Sequence, residues 1–457
     1  MQTQTTEWDL PLIQKYNIAG PRYTSYPTAL EFHQNYDEPA FLQATQRYPA
    51  RPLSLYLHIP FCHKLCYFCG CNKQVTRQQH KADDYLDVLV QEIAMRAPLF
   101  QHRTVSQMHW GGGTPTFLNK AQISRLMIGL RQHFHFTDDA EISIEVDPRE
   151  IELNVLDHLR AEGFNRLSMG VQDFNKQVQE KVNRVQDEDM IFALMARARE
   201  LGFASTNIDL IYGLPAQTAE SFAFTLEKVV ALNPDRLSVF NYAHMPALFP
   251  AQRKIKDEEL PGAQEKLDIL RQTITTLTAE GYQFIGMDHF ARQNDELAIA
   301  QREGELHRNF QGYTTQGDSD LLGMGVSAIS MIGDSYAQNH KELKHYYADI
   351  RAGKTALWRG LQLSEDDCLR REVIKSLICN FSLSFDAIST QWGIHFREYF
   401  AEDLALLTPL ILDGLVECHD NRLVVTAKGR LLIRNICMCF DRYLRQKASG
   451  ERFSRVI

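Results

Sequence analysis

No run of apolar residues in this 457-residue chain approaches the roughly 20 needed to cross a bilayer. Met1 to Leu10 lack both the basic start and the apolar stretch of an export signal, so the expected compartment is the cytoplasm. A basic excess is missing as well. The formal net charge is -8, which argues against broad binding to nucleic acid. No low-complexity stretch or fixed-period repeat appears beyond an alternation of strand-like and helix-like segments. A disulfide framework is excluded by pattern: nine cysteines are an odd number, and four of them crowd between Cys62 and Cys71.

What is present is the composition of a globular protein, 44% hydrophobic and 23% charged, with length for two or three units. Residues 1–50 read as an irregular arm or lid, because Pro21-Arg22-Tyr23-Thr24-Ser25-Tyr26-Pro27-Thr28 resists regular helix. From residue 53 the patterns alternate. Leu53–Ile59 is an apolar strand ending at Pro60, and Ala82, Tyr85, Leu86, Leu89 and Ile93 share one helical face. Val105–Trp110 is a second strand, followed by Gly111-Gly112-Gly113-Thr114-Pro115. Ile142, Ile144 and Val146 alternate with Glu141, Ser143 and Glu145, a period-two strand. Further strands are expected near Arg166–Gly170, Thr206–Ile211, Arg236–Asn241 and Gln283–Met287, with helices at about 187–201, 218–232 and 264–280.

Repeated βα units predict a parallel sheet with right-handed crossovers. About six units are too few for a closed eight-stranded barrel, so residues 51–290 are expected to form an open, partial barrel. Residues 291–362 have no clear pattern and read as a connecting segment that completes the site. Residues 363–457 turn helical, with short strands at Gly414–Glu417 and Leu423–Thr426 and a helix from Ala427 to about Arg445. That order predicts a winged-helix-like C-terminal domain.

The strongest chemical signal is Cys62-His63-Lys64-Leu65-Cys66-Tyr67-Phe68-Cys69, a C-x3-C-x2-C spacing just past the first strand. Loops at the carboxyl ends of parallel strands form the active face of such folds. Three thiolates can hold three irons of a [4Fe-4S] cubane and leave the fourth open to an external ligand. Structural zinc is the competing reading, with Cys71 or His63 as further ligands, but no distant second C-x2-C pair closes such a site. Cys437 and Cys439 fall on different sides of a predicted helix, and Cys368, Cys379 and Cys418 read as core thiols.

The cysteine spacing, with aromatic Phe68 before the last cysteine and a glycine loop one βα unit later, resembles the radical S-adenosylmethionine (SAM) signature. Almost the whole chain is similar to the oxygen-independent coproporphyrinogen III oxidase family. The likeness is carried by Pro21–Thr28, His58–Cys62, Cys69-Gly70-Cys71-Asn72, Gly111–Pro115, Ser143–Pro148, Ser168–Asp173, Asn207–Pro215 and Gly323–Ala328. The resemblance implies a partial (β/α)6 radical SAM barrel and the conversion of two propionates of coproporphyrinogen III to vinyl groups, giving protoporphyrinogen IX. It implies a 5′-deoxyadenosyl radical made from SAM, and a reduced flavodoxin- or ferredoxin-type electron donor.

Position by position, the resemblance puts the cluster on Cys62, Cys66 and Cys69. It puts a first SAM beside Tyr56, Gly112, Glu145 and Ile329, and a second beside Phe68, Gly113, Thr114, Gln172, Arg184, Asp209 and Ala243. Asp209 stands out by itself, since a carboxylate inside the apolar run Ile208–Ile211 needs a partner or a ligand. Arg22, Tyr23, Tyr26, His289, His307 and Arg308 are candidate partners for the substrate's propionates. Two other functions compete. One is a haem chaperone, whose branch typically has C-x-F where this chain has Cys69-Gly70-Cys71. The other is a DNA-binding redox regulator, for which the last helix offers Lys428, Arg430, Arg434, Arg442 and Arg445.

Overall fold

Leu53–Ile59 (β1) is buried along nearly its whole length, with Leu53, Leu55, Leu57 and Ile59 fully covered, as in a central parallel strand. The computed structural model, which describes residues 6–446, sets it beside Thr104–Gly112 (β2), His135–Val146 (β3), Arg166–Gln172 (β4), Ser205–Tyr212 (β5) and Arg236–Asn241 (β6). These six strands pair in sequence order and all in parallel. Helices His80–Arg96, Lys120–His133, Leu153–Ala161, Glu188–Glu200 and Ala219–Leu232 make the crossovers.

The unassigned stretch after residue 291 supplies four more strands: Asp320–Met324 (β7), Ile329–Ile332 (β8), Ser335–Asn339 (β9) and Leu357–Gln362 (β10). β7 joins the other edge of β1 in parallel, and β8 to β10 follow as antiparallel neighbours. Alternation decides which side chains face the site. On β4, Leu167, Met169 and Val171 are buried in the core, while Ser168, Gly170 and Gln172 point the other way.

The strands and crossovers belong to one compact unit, Phe32–Ile269 with Asp318–Gln362. A second unit combines Met1–Glu31, Leu270–Gly317 and Leu363–Ile457. Within it lie the helix Leu10–Tyr16, a hairpin of Tyr282–Gly286 with His289–Arg292, and a three-stranded sheet of Ser382–Ser384, Arg422–Val425 and Val416–Cys418. The continuous helix expected from Ala427 to about Arg445 is instead two short ones, Ile433–Met438 and Arg442–Gln446. Asp441 breaks it, because its carboxylate accepts the N–H groups of Tyr443 and Leu444 and starts a new helix. Cys418, expected in a core, is exposed at the end of its short strand. No helix among the described residues is long and apolar enough to cross a membrane.

Candidate active site

The cysteine loop leaves β1 at Pro60 and is pinned at both ends. Phe61–Cys62 pairs with Gln74–Val75, and the Gln74 N–H donates to the Pro60 carbonyl at 2.6 Å. Its middle is held by the Tyr67 N–H on the Val182 carbonyl at 3.0 Å and by the Asn183 amide on the Leu65 carbonyl at 2.7 Å. Tyr67 and Phe68 pack on a buried cluster of Val178, Val182, Leu214, Tyr242 and Ile255. Apolar packing therefore positions the sulfurs.

The glycine loop crosses directly over this segment. The N–H groups of Gly113 and Thr114 donate to the carbonyls of Ile59 and Phe61 at 2.8 and 2.7 Å. A Cβ at Gly113 would lie 2.7 Å from the Phe61 carbonyl oxygen, and Gly112 holds φ at +120°. Both positions demand glycine.

Cys62, Cys66 and Cys69 line one cavity of about 210 Å³ with Phe68, Gly112, Gly113, Thr114, Glu145, Gln172, Arg184 and Asp209. Eleven of the fourteen residues that the resemblance assigns to the cluster and SAM thus meet at one place. Tyr56, Ala243 and Ile329 do not line it. Tyr56 lies on β1 and stacks on His109 at 6.0 Å, and Ile329 begins β8. The Ala243 and Phe68 carbonyls both accept from the Gln252 amide, at 3.2 and 2.9 Å.

Three charged or polar systems surround the sulfurs. Asp147, missed from the sequence, takes Arg149 Nη2 at 2.6 Å and Arg184 Nη1 at 3.2 Å. Burial works to raise its pKa, but the two guanidinium groups prevail and hold it at about 2. Those arginines also donate to Cys66 Sγ at 3.3 and 3.4 Å. Burial pushes the Cys62 thiol up to about 11, opposed by the Thr114 hydroxyl at 3.5 Å. Cys69 is lowered, chiefly by a hydrogen bond from Cys71 and then by the charge of Lys73. Lys73 Nζ also donates to the Cys69 carbonyl at 2.9 Å.

In the same cavity, Glu145 accepts from the Gly112 N–H at 3.2 Å and contacts His109 Nε2 at 3.3 Å. Desolvation opposes its ionisation, yet these partners keep its pKa below the usual value. Asp209 behaves in the other direction. Burial raises it to about 6, with the charge of Glu145 adding to the effect, while Asn207 and Ser168 donate at 2.8 and 3.3 Å. Two carboxylates in one cavity are therefore shifted in opposite directions. Gln172 reaches the cavity from a left-handed backbone (φ +70°) where the β4–β5 register shifts.

The residues present fit an iron–sulfur cubane. Among the described residues, no three His, Cys, Asp or Glu side chains converge as they would on a single metal ion. A cubane offers each thiolate a different iron, so three cysteines spread over one cavity wall suit it better than they suit zinc. The N–H and O–H donors on Cys62 and Cys66 are those a thiolate would accept.

Residues 56–229 match the Radical SAM superfamily and residues 363–432 the HemN C-terminal domain, so the sheet and its cysteine loop are those of a radical SAM oxidoreductase. Over 457 residues the chain is 74% identical to the oxygen-independent coproporphyrinogen III oxidase of Salmonella typhimurium, covering 100% of both. The protein of that name from Pseudomonas aeruginosa is 49% identical over 99% of each chain. The solved coproporphyrinogen III oxidase of Escherichia coli, described as a radical SAM enzyme, matches with TM-score 0.94 at 72% identity, over 96% of this chain and 100% of that one. The chain belongs to the oxygen-independent coproporphyrinogen III oxidase family. Membership brings a [4Fe-4S] cluster and SAM as cofactors.

Proposed function

We propose that this protein oxidatively decarboxylates two propionates of coproporphyrinogen III to vinyl groups, giving protoporphyrinogen IX for haem biosynthesis. The observation that carries the reading is the common lining of one cavity by the cysteine triplet, the glycine loop and the polar strand ends, in a chain of this family. Cys62, Cys66 and Cys69 would hold the cluster, and the same cavity would take SAM. When bound, these groups supply hydrogen-abstracting radical chemistry at the propionate β-carbon, from which loss of carbon dioxide and one electron leaves the vinyl group.

The chain's own residues bind, orient and tune. Arg149 and Arg184 direct N–H groups at Cys66 and offset the negative charge of the cluster's thiolates. Glu145, kept ionised by His109 and the Gly112 N–H, accepts the ammonium group of the first SAM. Gly112 lets the backbone come close to that ligand, with Tyr56 on the neighbouring β1 and Ile329 on β8, beyond β7.

Phe68, Gly113, Thr114, Gln172, Arg184, Asp209 and Ala243 form the second SAM site. Asp209, held by Asn207 and Ser168, is the acceptor there, and the Gln252 amide keeps the Phe68 and Ala243 carbonyls together. A reduced flavodoxin- or ferredoxin-type protein delivers the electrons. The test is anaerobic turnover of iron- and sulfide-reconstituted protein with reductant, SAM, coproporphyrinogen III and an electron acceptor. Protoporphyrinogen IX and 5′-deoxyadenosine should both appear in wild type and vanish in Cys66→Ser. Deoxyadenosine without decarboxylation would mean a different substrate. Tight haem binding with neither product would favour the chaperone reading.

A further inference from the structure

Several arginines of the second unit carry buried N–H groups with no acceptor among the described residues. Arg22, Arg308, Arg430 and Arg434 come from three separated stretches of the chain and cluster in this unit, Arg434 buried and the other three half-buried. Arg434 is spent on the backbone, its Nε donating to the Pro21 carbonyl at 2.9 Å and its Nη2 to the Gly20 carbonyl. It thereby anchors the loop that carries Arg22. Arg22 Nη2 pairs with Asp288 Oδ2 at 2.8 Å.

The other two arginines are held by rings rather than by acceptors. The Arg308 guanidinium lies 4.6 Å from the Tyr313 ring centre, and that of Arg430 lies 4.9 Å from Phe381. The rings approach each other at Gly286, where an added Cβ would meet Tyr313 Oη at 2.6 Å and Phe381 Cζ at 3.4 Å. Arg22 Nε and the Nε and Nη1 atoms of Arg308 and Arg430 are buried with no hydrogen-bond partner among the described residues.

Buried donors of this kind are nearly always satisfied in a folded protein, and leaving several unsatisfied is costly. Asp288, the acidic group beside Arg434 and Tyr313, is already bonded to Arg22. Burial and the neighbouring Arg22 and Arg308 bring Arg434 down to about 10, against the opposing charge of Asp288. What the cluster lacks is an anion with a flat pair of oxygens, and a carboxylate has that shape.

We propose that Arg22, Arg308 and Arg430 form a carboxylate-binding site that holds propionate groups surviving the reaction. The proposal rests on the reading of coproporphyrinogen III as substrate. A porphyrinogen ring is apolar apart from its pyrrole N–H groups and carboxylates, so its propionates are what such a site would recognise. The survivors can be gripped throughout turnover, whereas the reacting propionates must lose their carboxylates.

The experiment uses cluster-loaded protein with SAM and two fluorescent probes that cannot turn over, coproporphyrin III and its tetramethyl ester. Wild type should bind the acid and discriminate against the ester. Arg308→Gln and Arg430→Gln should each weaken binding of the acid by about tenfold or more and leave the ester unaffected. KM for coproporphyrinogen III should rise in parallel, with iron content unchanged. Removing an unsatisfied buried guanidinium should leave the melting temperature equal or higher, whereas a purely structural arginine would lower it. Lys replacements keep the charge without the fork, and should weaken binding by roughly threefold. Unchanged affinity for the acid in the Gln variants overturns the proposal, as does equal binding of acid and ester by wild type. If the Gln variants fail to fold, unchanged affinity in the Lys variants overturns it instead. Wild type that binds the acid through these arginines but never decarboxylates coproporphyrinogen III would sink the substrate reading and leave the carboxylate site standing.

Discussion

At the scale of single residues, the cavity works by shifting two carboxylates in opposite directions. Glu145 is held ionised by its His109 and Gly112 contacts, while Asp209 is raised to about 6 by burial and by Glu145 itself. Glu145→Gln should therefore weaken SAM binding by about tenfold or more, measured by equilibrium dialysis on reconstituted protein, without changing its iron content. Arg149 is the second lever. Its N–H on Cys66 Sγ favours extra negative charge on the cluster, so Arg149→Gln should make the reduction potential more negative by on the order of tens of mV. A redox titration followed by electron paramagnetic resonance reads that shift. Arg149 and Asp147 escaped the sequence reading for a physical reason. Their meaning comes from Cys66 and Arg184, distant in sequence, and nothing local marks a paired arginine as facing a thiolate.

At the scale of elements, the site was legible wherever periodicity carries it. The two-residue repeat that buries Ile142, Ile144 and Val146 also turns Glu145 to the cavity, and the same rule places Ser168 and Asp209. The strands from β7 to β10 were not legible. They are four to six residues long and largely buried, so their patterns are too short to tell strand from loop. The helix expected through residue 440 failed because a capping aspartate outweighs an apolar pattern. It took the regulator's recognition helix with it. Arg442 bonds Asp366 and Asp367, Arg445 bonds Asp403, and Lys428 bonds Glu7 and Asp9. One close approach decides whether the cysteine and glycine loops meet at all. Gly113→Ala would drive a methyl group into the Pro60–Phe61 backbone and should cost on the order of a few kcal/mol. Thermal denaturation should show a lowered midpoint, and reconstitution should show reduced iron retention.

At the scale of the whole molecule, stability and chemistry share buried carboxylates. Asp173 is 1% exposed, receives Gln217 Nε2 at 2.5 Å and Thr225 Oγ1 at 2.7 Å, and has a pKa raised by burial from 3.8 to about 6. The fold thus binds its proton more tightly than the unfolded chain does. The stability it contributes is complete below pH 4 or so and is lost as pH rises through about 6. From pH 4 to pH 7 the unfolding free energy of wild type relative to Asp173→Asn should fall by on the order of 3 kcal/mol. Denaturant titrations at several pH values check this, and a difference independent of pH would contradict it.

The central claim is that three cysteines, and not Cys71, hold a cluster with one iron open to SAM. Electron paramagnetic resonance of the reduced, reconstituted protein tests it most directly. Wild type and Cys71→Ser should both carry about four irons per chain and a cluster signal that changes when SAM is added, while Ser at Cys62, Cys66 or Cys69 should abolish it. A signal indifferent to SAM, or one lost in Cys71→Ser, would contradict the account.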